Sequence, residues 1–161
     1  MIAMLLGSGR AWTAEYAELH FSKGVSSFNE GRFEEALQEL ERAAELEPQE
    51  AETHYYLGLV HSQLRGFPAA VAAFKQALGL DPSLKKVHYD LGVAYFNLPD
   101  YPQALREFQQ AEAHEPKRAM VPFFLGYTHY LRKEFERSLP YFQRARELDP
   151  ARRQEAHFFS G

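Results

Sequence analysis

Residues Ala51–Leu84 read AETHYYLGLVHSQLRGFPAAVAAFKQALGLDPSL, and the same pattern returns once before this stretch and twice after it. A fixed period takes precedence over any local reading, because a repeated unit sets how the whole chain packs. Gly24, Gly58, Gly92 and Gly126 stand 34 residues apart. Phe33, Phe67, Tyr101 and Phe135 form a second column, and Ala43, Ala77, Ala111 and Ala145 a third. Leu40, Phe74, Phe108 and Phe142 keep the same step, as do Ala36, Ala70, Ala104 and Ser138. Pro48, Pro82, Pro116 and Pro150 close the units, each preceded by Glu or Asp.

Within one unit the spacing predicts two helices. In Lys85–Arg118, His88, Leu91, Gly92 and Tyr95 share a face at helical period. The pattern breaks at Pro99-Asp100, resumes at Tyr101 through Ala104, Leu105, Phe108 and Ala111, and ends at Pro116. Gly92 and Ala104 are small where two helices need to approach closely, and Tyr101 is placed to cover that contact. A hairpin this short cannot bury its own apolar faces, so it must stack on copies of itself. The expected fold is all-α, a right-handed solenoid of antiparallel helix pairs with four full repeats and a partial fifth.

These columns resemble the tetratricopeptide repeat: the 34-residue length, the Leu57-Gly58, Leu91-Gly92 and Leu125-Gly126 pairs, the aromatic opening the second helix, the paired alanines and the closing proline. The resemblance covers Ala17–Arg152. It divides the chain into a lead-in over 1–16, repeats over 17–50, 51–84, 85–118 and 119–152, and a fifth start or capping helix over 153–161. It implies a scaffold that binds other proteins, without catalysis and without a cofactor.

Departures from the pattern carry their own expectations. Lys23 replaces the leucine of the other copies, as suits a first unit with little packed before it. Pro140 falls inside a predicted second helix and removes the bond to Glu136, which predicts a kink or a late helix start. Pro68, Pro102 and Pro122 fall in first turns, where the missing N–H costs little.

The chain has 161 residues, 45% of them hydrophobic, with a net charge of −4 and both signs spread along its length. Nothing in that distribution is a basic footprint for nucleic acid. The sequence has no cysteine, which suits the cytoplasm and the bacterial periplasm equally. No run reaches the length of a membrane span. Ile2–Leu6 is shorter than an export-signal core, so Met1–Arg10 reads as a flexible lead-in, with Trp12–Tyr16 joining and covering the first helix. A signal shortened by start-codon choice, cleaved near Gly9-Arg10-Ala11, is the alternative. At the other end, Gln154–Gly161 mirrors Ala17–Gly24, one residue out of step. Its apolar Phe158-Phe159 favours a chain that continues with further repeats over one that ends in a cap.

His20, His54, His88 and His157 occupy one column. Equivalent positions lie two helices apart, and adjacent helices already stand roughly 8–10 Å apart. One Zn²⁺ needs ligands at about 2.0–2.1 Å, so the column reads as helix packing, as do His61 and His129. No nucleophile elbow, phosphate loop or spaced carboxylate pair is present, which leaves no catalytic constellation.

The functional signal is a second stripe on the first helices, rotated away from the packing face and not polar. Its members are Phe21, Val25, Phe28 and Asn29; Tyr55, Leu59, Ser62 and Gln63; Lys86, Tyr89, Val93, Phe96 and Asn97; and Phe123, Tyr127, Tyr130 and Leu131. Stacking is expected to turn these residues into a concave groove. They also serve, in part, to pack neighbouring first helices. The asparagines suit a ligand backbone and the aromatics its side chains. A clamp for a terminal carboxylate, which some members of the resembled family carry, is not supported: Phe21, Val25 and Leu59 take its sites, and only Lys86 has suitable charge. The stripe predicts a protein partner, bound as an apolar or aromatic segment. Two other readings are a self-assembling module joined end to end through Phe158 and Phe159, and the targeting arm of a larger enzyme.

Overall fold

The computed structural model describes residues 2–149, with side chains from Trp12 onward. The expected fifth start and its Phe158-Phe159 pair lie outside the described residues. Eight helices account for nearly all of the described chain: α1 Ile2–Asn29, α2 Phe33–Leu46, α3 Ala51–Gln63, α4 Phe67–Leu80, α5 Val87–Asn97, α6 Tyr101–His114, α7 Met120–Leu131 and α8 Phe135–Leu148. No strand occurs among the described residues. The chain forms two compact units, the first ending at Val87 and the second beginning at His88. In the first, α1 packs on α2, α3 on α4, and α2 on α3; in the second, α7 packs on α8 and α6 on α7.

At the close approach of each pair a glycine faces a large apolar side chain, a ring in three of the four. A Cβ placed on Gly92 would lie 2.7 Å from Phe108 Cδ1, and one on Gly24 would lie 2.6 Å from Leu40 Cγ. A Cβ on Gly58 would overlap the Phe74 ring more deeply, whereas one on Gly126 would reach Phe142 Cδ1 at 3.0 Å. Phe74, Phe108 and Leu40 are fully buried, while Phe142 is only partly so. The alanine columns close the same contact from the other side: Ala36, Ala70 and Ala104 expose nothing, and Ser138 is buried with its hydroxyl donating to Phe135 O.

The turns inside the four pairs repeat a conformation that the residue types hide. Gly31 (φ 76°), Arg65 (φ 59°), Pro99 (φ 29°) and Lys133 (φ 63°) stand 34 apart, each just past the end of a first helix. Gly66 N donates to His61 O at 2.8 Å and Arg65 N to Ser62 O at 3.1 Å; Arg32 with Gly31, and Glu134 with Lys133, make the same two bonds. This is the paired-bond helix ending that asks for a left-handed residue, normally glycine. At Asp100 only the long bond, to Tyr95 O, can form, because Pro99 has no N–H to give.

Three expectations are modified. The expected lead-in runs without a break into α1, and Trp12 and Tyr16 stay mostly exposed instead of covering the first helix. The late start expected at Pro140 does not occur: α8 begins at Phe135 and continues through it. Pro140 and Glu136 are both exposed, so water can take up the carbonyl that loses its partner. Pro68 and Pro102 do sit in the first turns of α4 and α6, as expected.

The last helix differs from its predecessors. Leu37 packs against the buried cluster that contains Leu57 and Val60, and Leu105 is buried in one cluster with Val121 and Leu125. Leu139, the next member of that column, is 58% exposed, and Phe135 is 56% exposed.

Two stability predictions follow from the packing and the turns. Gly58→Ala should lose about 1–2 kcal/mol, since overpacking against a buried ring outweighs the gain in helix propensity. Gly126→Ala should lose less than Gly58→Ala, because the partly buried Phe142 ring can yield, although the Ser138 backbone oxygen 3.1 Å from the new methyl group cannot; urea unfolding of both variants checks the order. Arg65→Gly should raise stability by about 1 kcal/mol by relieving a left-handed residue, read in the same titration.

Candidate functional site

The stripe expected to face a ligand is carried by the first helices α1, α3, α5 and α7. In each unit an aromatic ring from the later first helix enters between two stripe residues of the earlier one. Tyr56 meets Phe21 edge-on at 5.5 Å and Phe28 at 6.1 Å. Phe124 meets Tyr89 at 6.0 Å and Phe96 at 5.4 Å, and stacks on Phe108 at 5.2 Å. Edge-to-face and offset pairs of this kind add roughly 0.5–1.5 kcal/mol beyond the area they bury. Phe21, Phe28, Tyr89 and Phe96 are therefore half consumed by packing.

Tyr56 and Phe124 are residues that the sequence reading missed. Their column runs Ser22, Tyr56, Asp90, Phe124, with no shared chemistry from copy to copy. The usable signal is the spacing: Tyr56 follows Phe21 and Phe28 at the same two intervals by which Phe124 follows Tyr89 and Phe96.

The remaining stripe residues divide by what they touch. Tyr55 packs on Tyr56 and Phe74, and the Lys86 ammonium sits 4.3 Å from its ring centre. Lys86 Nζ also donates to Glu52 Oε1 and Oε2 at 3.0 and 2.9 Å. The single stripe cation is thus paired, which leaves no open positive charge at that point for a ligand carboxylate. Ser62 donates to Gly58 O and Asn97 Nδ2 to Val93 O, each within its own helix. Val25, Leu59 and Val93 are partly buried, while Asn29 and Gln63 are exposed.

Around Tyr89 the second unit adds a cation. The Arg118 guanidinium carbon lies 3.6 Å from the Tyr89 ring centre, and Arg118 Nη1 donates to Glu115 Oε2 at 3.0 Å. Burial pushes the Tyr89 phenol above its ordinary value, with Arg118 pulling the other way.

The fourth repeat keeps its aromatics open. Tyr127 is 38% exposed and Tyr130 51%. They stack on each other at 6.4 Å, and Tyr127 also meets Phe96 at 5.5 Å and Phe123 at 6.0 Å. Tyr130 meets Phe135 edge-on at 5.5 Å. Phe96, Phe123, Tyr127, Tyr130 and Phe135 form a continuous aromatic surface in the second unit, its outer part accessible.

The histidines have other employment. His20 Nδ1 lies 2.6 Å from Glu39 Oε2, and His88 Nδ1 lies 2.8 Å from Glu107 Oε2; both pairs join a first helix to its second. His54 meets Pro48 O at 2.9 Å, and His129 Nδ1 meets Glu134 Oε2 at 2.7 Å. The His129 contact, together with Arg132, holds the Glu134 carboxyl below its usual range. Burial lowers His61 below the ordinary histidine value. Among the described residues no group of three or more His, Asp or Glu could hold a metal, and no helix is long and apolar enough to cross a membrane.

Comparison with known proteins adds to this geometry. A family model described as "Tetratricopeptide repeat" matches residues 55–111 and 89–153, and one described as "TPR repeat" matches residues 24–64. Among solved structures, the chain is similar to "Crystal structure of MamA" at 20% identity and a TM-score of 0.79, over 86% of this chain and 81% of that one. It is also similar to "MamA 41-end from Desulfovibrio magneticus RS-1", with 27% identity, a TM-score of 0.79, and 84% and 76% of the two chains covered. "MamA MSR-1 C2" gives 26% identity and a TM-score of 0.76 over 83% and 76%. No curated protein matches the sequence.

Proposed function

This chain belongs to the tetratricopeptide repeat family, and from that premise we propose that it is a non-catalytic scaffold gripping an apolar or aromatic segment of a partner protein on its first-helix stripe. The observation that carries the reading is the open aromatic surface of Tyr127 and Tyr130, continuous with Phe96 and Phe123. Exposed large apolar side chains grouped on one face are uncommon unless something covers them, and tyrosine combines a broad apolar face with a hydroxyl that tolerates solvent. The other stripe members are Phe21, Val25, Phe28, Asn29, Tyr55, Leu59, Ser62, Gln63 and Lys86 in the first unit and Tyr89, Val93 and Asn97 in the second. Of these, Tyr89 and Phe96 are poor test sites, because their loss would also loosen the rings packed on Phe124.

The test uses a peptide selected on the intact chain from a displayed library. Tyr127→Ala with Tyr130→Ala should weaken its binding by about 30-fold, the equivalent of one aromatic anchor of about 2 kcal/mol, while circular dichroism stays that of the parent. Unchanged affinity in that double variant would sink the reading.

A second reading, self-assembly, rests on the bare face of α8. Phe135 and Leu139 are exposed in columns whose earlier members are at least partly buried, so a further helix pair from another copy would find an apolar seat there. Such a head-to-tail contact need not close into a ring. Leu139→Glu should then turn a concentration-dependent oligomer into a monomer in sedimentation velocity; a parent chain that is monomeric at every concentration rejects it.

A further inference from the structure

The first and last helices each carry a face that the corresponding interior helices bury. In the first unit Leu57 and Val60 of α3 share a buried cluster with Ala36 and Leu40 of α2; in the second, Val121 and Leu125 of α7 share one with Leu105 of α6. Thr53 and Thr128 lie on the same faces of α3 and α7 and are buried too. The residues at these repeat positions in α1 are Leu19, Lys23 and Ser26, and all three are exposed, Leu19 at 46%. Trp12 and Tyr16 extend that face toward the start of the helix, and both are exposed. On α8 the complementary position is held by Leu139, the successor of Leu105, with Phe135 one turn before it. Thus α8 presents a seat shaped for a first helix, and α1 is a first helix whose seat is empty.

Charge fits the one to the other. Glu15 and Lys23 stand one turn before and one turn after Leu19 on α1; Glu136 precedes Leu139 by one turn on α8, and Arg146 follows it by two. All four side chains are exposed, and none makes an ion pair among the described residues. On both helices the acid comes first and the base last. Laid antiparallel with Leu139 against Leu19, they bring Glu136 to Lys23 and Arg146 to Glu15. Laid parallel, they set acid on acid and base on base, which is costly. Antiparallel is also the sense in which α3 meets α2 and α7 meets α6, since short turns join them. In this register Arg146 comes level with Trp12, two turns before Leu19, whose exposed indole face suits a guanidinium.

We infer that the occupant of the α8 face is α1 of a second copy of this chain, docked antiparallel with Leu139 against Leu19. The inference rests on the reading of α8 as a self-assembly face and adds to it the reciprocal surface, the polarity and the register. The contact continues between copies the packing that α7 makes on α6 within one. Lys23, which breaks the leucine column in α1, thereby acquires a role: it answers Glu136 at the edge of an apolar centre. The leucines and the Trp12 and Phe135 rings supply the buried area, while the flanking charges select the antiparallel sense and suppress the other. Because the two faces differ and each copy carries one of each, the association is heterologous and adds copies head to tail.

Sedimentation velocity on the intact chain tests both halves of the contact, with circular dichroism to confirm that these exposed substitutions leave the helices in place. Leu19→Glu and Leu139→Glu should each be monomeric alone. Mixed in equal amounts they should form a dimer that grows no further, because Leu139→Glu keeps a working α1 and Leu19→Glu a working α8. Lys23→Glu and Glu136→Lys should each raise the dissociation constant about fivefold, and the two changes in one chain should restore it to within about twofold of the parent. Undiminished assembly of Leu19→Glu, a mixture that stays monomeric, or a double charge variant weaker than either single one would each overturn the inference while leaving α8 an assembly face. A parent chain that is monomeric at every concentration removes the inference and the self-assembly reading together.

Discussion

The architecture depends on how closely a first helix can approach its own second helix. That approach is fixed where Gly24, Gly58, Gly92 and Gly126 leave no side chain and a Leu or Phe from the facing helix, fully buried in the first three pairs, takes the place of the missing methyl group. Once the axes are this close, other positions lose their freedom. The column of Ala36, Ala70 and Ala104 must stay small, and Ser138 is tolerated because its hydroxyl is satisfied by Phe135 O. The chain must also reverse within three residues, which forces a left-handed residue at Gly31, Arg65, Pro99 and Lys133. The period of 34 is thus the length at which one steric contact, two helices and two turns close on themselves.

This explains which parts of the fold were legible in the sequence. A contact that admits only one size of side chain writes the same residue into every copy, so the glycine, alanine and ring columns could be read directly. The turn column could not, because what repeats there is a backbone reversal, and Gly31, Arg65 and Lys133 share a left-handed conformation across three different residue types. Pro140 misled for a related reason: its ring rules out a hydrogen bond, but whether that ends a helix depends on whether water can reach the orphaned carbonyl, and the local sequence does not record exposure.

The stripe on the first helices was legible as a face and illegible as a division of labour. Angular position alone put Phe21, Phe28, Tyr89 and Phe96 beside Tyr127 and Tyr130. The coordinates separate them, because Tyr56 and Phe124 insert between the first two pairs. Those inserting rings went unseen because their column reads Ser, Tyr, Asp, Phe. Polar members have partners that the sequence does not show. Lys86 is held by Glu52, and one N–H of the Asn97 amide is taken by Val93 O.

What a repeat scaffold can recognise is therefore set by what its own packing leaves over. Each unit has one pair of stripe aromatics closed by an inserted ring, and the surplus differs between them. In the second unit the surplus is aromatic, since Tyr127 and Tyr130 stack on each other and remain accessible. In the first it is anionic, since Lys86 offsets only one of the carboxylates around Phe21. Neither surplus sits at the close approach of a helix pair, where the glycine and alanine columns meet a Leu or Phe of the facing helix. What packing leaves over therefore differs from unit to unit, aromatic in the second and rich in carboxylates in the first.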